Sequence, residues 1–123
     1  MELKKIVVSE KFNLFNEYWS PKIISVFNEN YIKLAKLKGE FVWHHHEKED
    51  EVFIVLKGVL QIQIREHSTI ILNEGEVLVI PKGIEHLPIA DKEVQVLLIE
   101  PKSTLNTGNI KNDEKTKEDL EFI

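Results

Sequence analysis

The sequence predicts an all-β fold, an antiparallel barrel or sandwich, and three observations carry this prediction. Between Gly39 and Glu100 the chain is a succession of short, apolar-rich segments of strand length, separated by turn residues. No long helical repeat of apolar residues lies between these segments. One of them, VLQIQI, alternates apolar and polar residues, which is typical of a strand with one buried face and one wetter face.

The first forty residues are expected to add a short N-terminal helix and a pair of strands. Ser9 is placed to cap a helical turn, and Pro21 is placed to end it. The turn carries an aromatic stripe at helical spacing, formed by Phe12, Phe15 and Trp19. We expect this stripe to pack on the body of the fold rather than to bind a cofactor. The runs KIISVFN and YIKLAKLKG follow, and they are predicted to pair as strands.

The later strands are predicted from the segments FVWHHH, EVFIVLKG, VLQIQI, STIILN, EGEVLVI and VQVLLIE. The segment EVFIVL is apolar at every position after Glu51, so both of its faces are expected to be covered. An apolar face on the outside of a barrel predicts a homodimer, because large exposed apolar patches are rare on monomers.

The chain is expected to form a single domain, residues 1–123, with a core barrel over about 22–101 and a tail over 102–123. The tail is mostly charged, and Thr116 is placed to cap a short C-terminal helix. Its last apolar residues, Leu120, Phe122 and Ile123, predict that the end of the chain docks on the fold.

Composition narrows the classes of function. The net charge of -5 argues against nucleic-acid binding, which needs a basic face to displace counterions. No apolar run reaches the length of a membrane span, and the N-terminal apolar run is too short for a signal peptide. A cytoplasmic protein without a membrane or nucleic-acid partner is therefore expected. Cysteine is absent, so there is no thiolate to bind a metal.

The stretch HHHEKEDE contains the residue types that point to chemistry. Residues two apart in a strand share a face, so His44 and His46 are predicted to point one way and His45 the other. If EKED forms a turn, Glu51 opens the returning strand and brings a carboxylate to the same face. Two imidazoles and a carboxylate suit Fe, Mn, Ni, Zn or Cu. Asp50 would be the alternative ligand if that strand began one residue earlier.

The spacing of these residues resembles the two motifs of the cupin superfamily. The first motif reads G-x4-H-x-H-x4-E-x6-G from Gly39 to Gly58, and the second reads G-x5-P-x-G-x2-H from Gly75 to His86. The interval before the first histidine is one residue shorter than in the family pattern, and Ala90 replaces the closing Asn of the second motif.

The resemblance implies an antiparallel double-stranded β-helix, the cupin or jelly-roll barrel, with one divalent transition metal in its mouth. The implied ligands are His44, His46, Glu51 and His86. The chain is similar to small single-domain cupins of the cupin-2 type that are labelled mannose-6-phosphate isomerase-like, a label that does not define a substrate.

The sequence leaves the reaction open, because this fold and site serve enzymes and pure binders alike. The expected function is to bind, and to transform, a small polar metabolite at the metal; the alternative is a non-catalytic binding or sensing module. As an enzyme it would be a metal-dependent isomerase, epimerase or dioxygenase. No catalytic acid–base pair is identified. His67, in the REHS turn, is expected to be a solvated surface residue, and Phe53 is expected to be core or to face the pocket.

Overall fold

The computed structural model describes residues 3–123, so the first two residues of the predicted domain lie outside the described residues. Its elements are α1 (Val8–Phe12), β1 (Lys22–Phe27), β2 (Asn30–Glu40), β3 (Glu51–Lys57), β4 (Leu60–Ile64), β5 (Ile70–Leu72), β6 (Val77–Ile80), β7 (His86–Pro101) and β8 (Glu121–Phe122). Within the described residues, no helix is both long enough and apolar enough to cross a membrane. The predicted all-β class, with a short N-terminal helix, is confirmed.

The barrel is organised around β7, a 16-residue strand. Strand β4 pairs with residues 86–89 of β7, and β2 pairs with residues 89–101. Strand β3 pairs with residues 95–99 on the side of β7 opposite β2. The sheet order is β5-β4-β7-β2-β1-β8, and β3 pairs with both β6 and β7. A strand that changes partners along its length wraps the sheet into a closed shape, which gives the jelly-roll barrel. The segment VQVLLIE is thus part of a longer strand that already begins at His86.

The core lies inside this barrel and follows the two-residue period of its strands. In β4, Leu60 and Ile62 are fully buried, whereas Gln61 and Gln63, which alternate with them, are partly exposed, and this confirms the alternation in VLQIQI. In β3, Phe53 and Val55 face inward, while Val52 and Ile54 are only half-buried. The expectation that EVFIVL is covered on both faces is therefore met only on its inner face.

The N-terminal helix is shorter than the helix that the aromatic stripe predicts. Helix α1 ends at Phe12, and Val7 precedes it without a side-chain capping bond. The prediction that Ser9 caps the helix is wrong, because Ser9 lies within it. The stripe is nonetheless buried: Phe12 and Phe15 cover Leu34 on the outer face of β2. Burial of these rings, rather than helix propensity, fixes the segment.

Beyond this segment, Trp19 packs into the core at one end of the barrel. Its backbone has a positive φ of 57°, its ring stacks on Phe41 with centroids 4.7 Å apart, and its Nε1 donates to the Lys38 carbonyl at 2.9 Å. The indole thus has a partner for its polar atom, as buried tryptophans require. The prediction that the stripe packs on the fold is confirmed.

The predicted C-terminal helix is wrong, because residues 102–123 form turns followed by β8, which pairs in parallel with β1. Polar side chains in the tail bond to its backbone and so compete with a helix. Asn106 donates to the Lys115 carbonyl and accepts from the Lys117 N–H, both at 2.8 Å. Thr116, the predicted cap, instead hydrogen-bonds the hydroxyl of Thr107 at 2.7 Å.

The end of the tail docks on the fold, as predicted. The backbone N–H of Ile123 donates to the Ile23 carbonyl at 3.0 Å, and its side chain packs with the Phe12 cluster. The ring of Phe122 meets Tyr31 edge to face, with centroids 5.8 Å apart, although most of the Phe122 side chain is exposed.

Candidate metal centre

The segment that carries the first two histidines is extended but belongs to no named strand. Strand β2 ends at Glu40, and β3 begins at Glu51. Between them, the backbone of His44 makes an isolated bridge to His86. The predicted alternation is nevertheless present, because His44 and His46 are buried while His45 is partly exposed. The prediction of a full FVWHHH strand is wrong, since most of this backbone has no partner strand.

Backbone hydrogen bonds hold the two motif segments together. The N–H of His44 donates to the His86 carbonyl, and the N–H of His86 donates to the His44 carbonyl. The N–H of Gly83, in the Pro81–Gly83 turn, donates to the His46 carbonyl at 2.7 Å. The N–H of Lys82, in the same turn, donates to the carboxylate of Asp50 at 2.9 Å. Asp50 is exposed and ties the turn, so it is not part of the cluster.

Four buried side chains converge at this junction. One donor atom from each of His44, His46, Glu51 and His86 lies within 4.8 Å of the other three. The Glu51 Oε1 atom is 3.6 Å from the His46 Nε2 atom and 3.5 Å from the His86 Nε2 atom. Two atoms bound to one ion at about 2.1 Å are at most about 4.2 Å apart. Small side-chain movements therefore bring all four donors onto a single ion.

The hydrogen bonds of two imidazoles direct a free nitrogen into the cluster. The Nδ1 atoms of His44 and His86 lie 2.8 Å from the carbonyls of Val42 and Ile84. A carbonyl can only accept, so each Nδ1 carries the proton and each Nε2 keeps its lone pair. This is the arrangement found around metal-bound histidines. Buried atoms without any hydrogen-bond partner include Glu51 Oε1, His86 Nε2 and both ring nitrogens of His46.

Burial keeps the imidazoles of His44 and His46 neutral. Burial, and then the nearby His86, lower the pKa of His44 to about 4. Burial also lowers the pKa of His46, against the opposing charge of Glu51. Burial alone would raise the pKa of Glu51, but His86 and the other surrounding groups outweigh it and hold that pKa below its usual range. Neutral imidazoles and an ionised carboxylate are the forms that bind a metal.

A second buried carboxylate, which the sequence interpretation missed, lies beside Glu51. Glu100 accepts a hydrogen bond from the Lys33 ammonium at 2.7 Å, and both side chains are about 1% exposed. Burial, and then the charge of Glu51, raise the pKa of Glu100, while Lys33 opposes them. Strand period gives the missing signal, because Glu100 shares its parity with the buried Leu98 and therefore points inward.

A cavity of about 40 Å³ adjoins the cluster inside the barrel. Its walls are mainly apolar; the lining is Trp19, Pro21, Ala35, Leu37, Phe41, His44, Glu51, Phe53, Pro88, Leu98, Glu100 and Asn106. Concave apolar walls around a few polar groups are the usual form of a small-molecule site. Phe53 thus faces the pocket and is also part of the core.

The tail covers the outer side of the histidine segment. The N–H of His45 donates to the side-chain oxygen of Asn109 at 2.9 Å, and the N–H of Asn109 donates to the His45 carbonyl at 3.0 Å. Gly108 lies against the same carbonyl, so closely that a Cβ atom there would collide with it. No residue pattern in the tail indicates this contact. His67 is exposed in its turn, as expected.

Comparison with known proteins agrees with this geometry. A family model described as Cupin domain matches residues 31–100. A cupin-2 domain containing protein from Shewanella frigidimarina has a crystal structure similar to this chain, with 50% identity and a TM-score of 0.77 over 79% of this chain and 94% of that one. A Neisseria meningitidis protein is 28% identical, with a TM-score of 0.73 over 80% of this chain and 100% of that one.

Among curated sequences, the uncharacterized protein YdbB of Bacillus subtilis is 37% identical over 87 residues, which are 63% of this chain and 77% of YdbB. The matched region of the family model contains both histidine motifs, the glutamate between them and nearly all of β7. With the barrel and the buried cluster of three histidines and a glutamate, this match shows that the chain belongs to the cupin family.

Proposed function

We propose that His44, His46, Glu51 and His86 bind one divalent transition metal, at which a small polar metabolite is bound and transformed. The observation that supports this most directly is the set of buried donor atoms with no hydrogen-bond partner. Leaving such atoms unpaired costs roughly 1–3 kcal/mol each, and a bound cation removes that cost. Three nitrogens and one carboxylate oxygen suit Fe, Mn, Ni, Zn or Cu.

When bound, such an ion supplies Lewis acidity and orients a chelating ligand. The residues of the chain provide the rest of the site. The carbonyls of Val42 and Ile84 fix the orientation of two imidazoles, and the aromatic walls of the cavity exclude water from the ligand. Exclusion of water strengthens every polar contact with the ligand.

The second candidate is a non-catalytic module that uses the same site to bind or sense a small molecule. Both candidates share the metal, and they differ in whether the ligand leaves changed. Metal-loaded protein incubated with a metabolite extract separates them. Consumption of a compound, followed by mass spectrometry, supports the enzyme, whereas a compound that is retained unchanged supports the binding module.

Elemental analysis tests the metal itself. Protein purified without added metal, and the same protein after reconstitution, should contain close to one transition metal ion per chain. Protein that contains no metal and takes up none from Fe²⁺, Mn²⁺, Ni²⁺, Zn²⁺ or Cu²⁺ would contradict the proposal.

We also propose that the protein is a homodimer. A row of apolar residues crosses four paired strands on the outer face, made by Val79, Val52, Ile99 and Ile32. Val79 is 53% exposed, and the other three are partly exposed. A second copy that covers this row would remove it from water. Light scattering after size exclusion should give twice the chain mass of 14.4 kDa, and a monomer would contradict the proposal.

The remaining proposals concern the setting of the protein. We propose a single cytoplasmic domain without a nucleic-acid partner. The net charge of -5 and the interspersed charges support the absence of a nucleic-acid partner. A filter-binding assay with duplex DNA and single-stranded RNA at physiological salt should therefore show no retention. Fractionation of cells that express the protein should recover it with the cytoplasmic proteins.

A further inference from the structure

The polar side chains of the cavity beside the metal centre are not all accounted for by the metal. His44 and Glu51 belong to the proposed ligand set. Asn106 uses both its amide oxygen and its amide nitrogen to hold the tail. Glu100 is left as the polar group of the cavity lining without an assigned function.

Glu100 is held in a fixed position. In the pairing of β3 with β7, Val52 lies opposite Ile99, so one step further along the register Glu51 lies opposite Glu100. The register therefore places the two carboxyl groups side by side at the cavity, which both residues line. On the other side, the Lys33 ammonium fixes the Oε1 atom of Glu100 at 2.7 Å.

The second oxygen of Glu100 is unused. Its Oε2 atom is buried and has no hydrogen-bond partner in the protein. The whole residue is only 2% exposed, so bulk water does not supply a partner either. Burying a polar atom without a partner is costly, and in a binding cavity a ligand group is the natural partner. The atom belongs to a side chain that lines the cavity next to the metal ligand Glu51.

The cavity limits what that ligand can be. A volume of about 40 Å³ has room for roughly three waters, so it fits a compact molecule or the end of a larger one. Most of the cavity lining is apolar, including Phe53 and Leu98, and these side chains offer a ligand no hydrogen bonds. A ligand hydroxyl can pair with a carboxyl oxygen as donor or as acceptor, whereas a methyl ether cannot donate.

We propose that Glu100, anchored by Lys33, is a specificity residue that hydrogen-bonds a hydroxyl group of a compact ligand chelated to the metal. The substrate class is therefore a small molecule with a hydroxyl next to the oxygen that binds the metal, such as an α-hydroxy acid or an α-hydroxy ketone. This inference rests on the proposed metal site.

The test uses a variant that removes the carboxyl group without leaving a buried unpaired charge. Lys33→Met combined with Glu100→Leu replaces the buried ion pair with apolar side chains of similar volume, a change that proteins usually tolerate. The control, Lys22→Met combined with Glu121→Leu, removes the two 3.2 Å ion pairs that Lys22 makes with Glu121 and Glu17, outside the cavity. If the first variant does not fold, Lys33→Met with Glu100→Met takes its place, because methionine adapts to irregular space.

The probes are glycolate and methoxyacetate, which differ by a methyl group on the hydroxyl oxygen. Their dissociation constants are measured on Co²⁺-loaded protein from the visible absorption of the ion. The wild type and the control should prefer glycolate by about tenfold or more, the size expected for one hydrogen bond to a charged group. In the Glu100 variant, the preference should fall to within about threefold, with the Co²⁺ content unchanged.

Two results would overturn this inference and leave the metal site in place. One is a Glu100 variant that keeps the tenfold preference, and the other is a wild type that binds Co²⁺ but shows no preference or binds neither probe. Failure of the wild type to bind Co²⁺ would instead overturn the proposed function.

Discussion

His44 and His86 lie opposite each other across an isolated antiparallel bridge, with backbone N···O distances of 3.1 and 2.9 Å. Forty-one residues of chain separate them, yet their rings are 4.3 Å apart. The bridge places the two histidine motifs side by side through backbone hydrogen bonds. The position of the centre therefore depends on the backbone of the fold. Substitutions that change the burial, charge or backbone contacts of the centre should change its stability or its metal binding.

The buried imidazole of His44 should make stability depend on pH. Its pKa is near 6.5 in the unfolded chain and about 4 in the folded one. As pH falls through this window, the unfolded state gains a proton that the folded state does not, so His44 destabilises the folded state. Glu100 has a raised pKa, so its protonation stabilises the folded state as pH falls and opposes the effect of His44. The contribution of His44 is therefore measured as the difference in stability between the wild type and a His44 variant.

In metal-free protein, the free energy of unfolding of the wild type minus that of His44→Asn should fall by about 2 to 3 kcal/mol between pH 7 and pH 4.5. Urea unfolding at several pH values measures this difference. His67→Ala, which changes an exposed turn residue, is the control and should track the wild type. A stability difference between the wild type and His44→Asn that is constant with pH would contradict the lowered pKa of His44 in the folded state.

The ion pair of Lys33 and Glu100 predicts a non-additive pair of substitutions. Lys33→Met alone leaves a buried carboxylate without its cation and should cost about 3 to 5 kcal/mol. Combined with Glu100→Leu, the same substitution should cost much less, because no charge is then left unpaired. Denaturant unfolding of the three proteins measures both effects, and equal stability of the single and double variants would contradict the pairing.

The contact between the tail and the histidine segment predicts that Gly108 cannot be replaced. Gly108 and Gly75 both have positive φ, 55° and 82°, so alanine at either position costs about 1 to 2 kcal/mol in backbone conformation. A Cβ atom added at Gly108 would also collide with the His45 carbonyl. A Cβ atom added at Gly75 would have no neighbouring atom within 4 Å.

Gly108→Ala should therefore detach residues 104–110, seen as faster amide hydrogen exchange there, and should weaken metal binding at the adjacent His46. Gly75→Ala should leave the exchange of this segment unchanged. Equal exchange rates in the two variants would show that the tail does not support the centre.

Much of the fold and of the centre could be predicted from the sequence, because both depend on local patterns. Strand alternation and the glycine-bounded motifs indicated the barrel and brought His44, His46, Glu51 and His86 into one group. Parity alone separated His45 from its two neighbours, even though the segment proved to be extended chain rather than a full strand.

The features that were missed depend on contacts between distant parts of the chain. Lys33 and Glu100 are charged, and a charged residue in a strand is usually assigned to the solvent face, so their ion pair becomes visible only when β2 and β7 are aligned. In the tail, the position of Thr116 predicts a helix cap. Side-chain bonds from Asn106 decide the tail's conformation, and no local pattern encodes them.

The most direct test of the metal centre is the metal content of three purified alanine variants after reconstitution, measured by elemental analysis. His46→Ala and His86→Ala each remove a buried donor and should lose most of the bound metal. His45→Ala removes the neighbouring imidazole outside the cluster and should keep about one ion per chain. Equal metal content in all three variants would contradict the proposed ligand set.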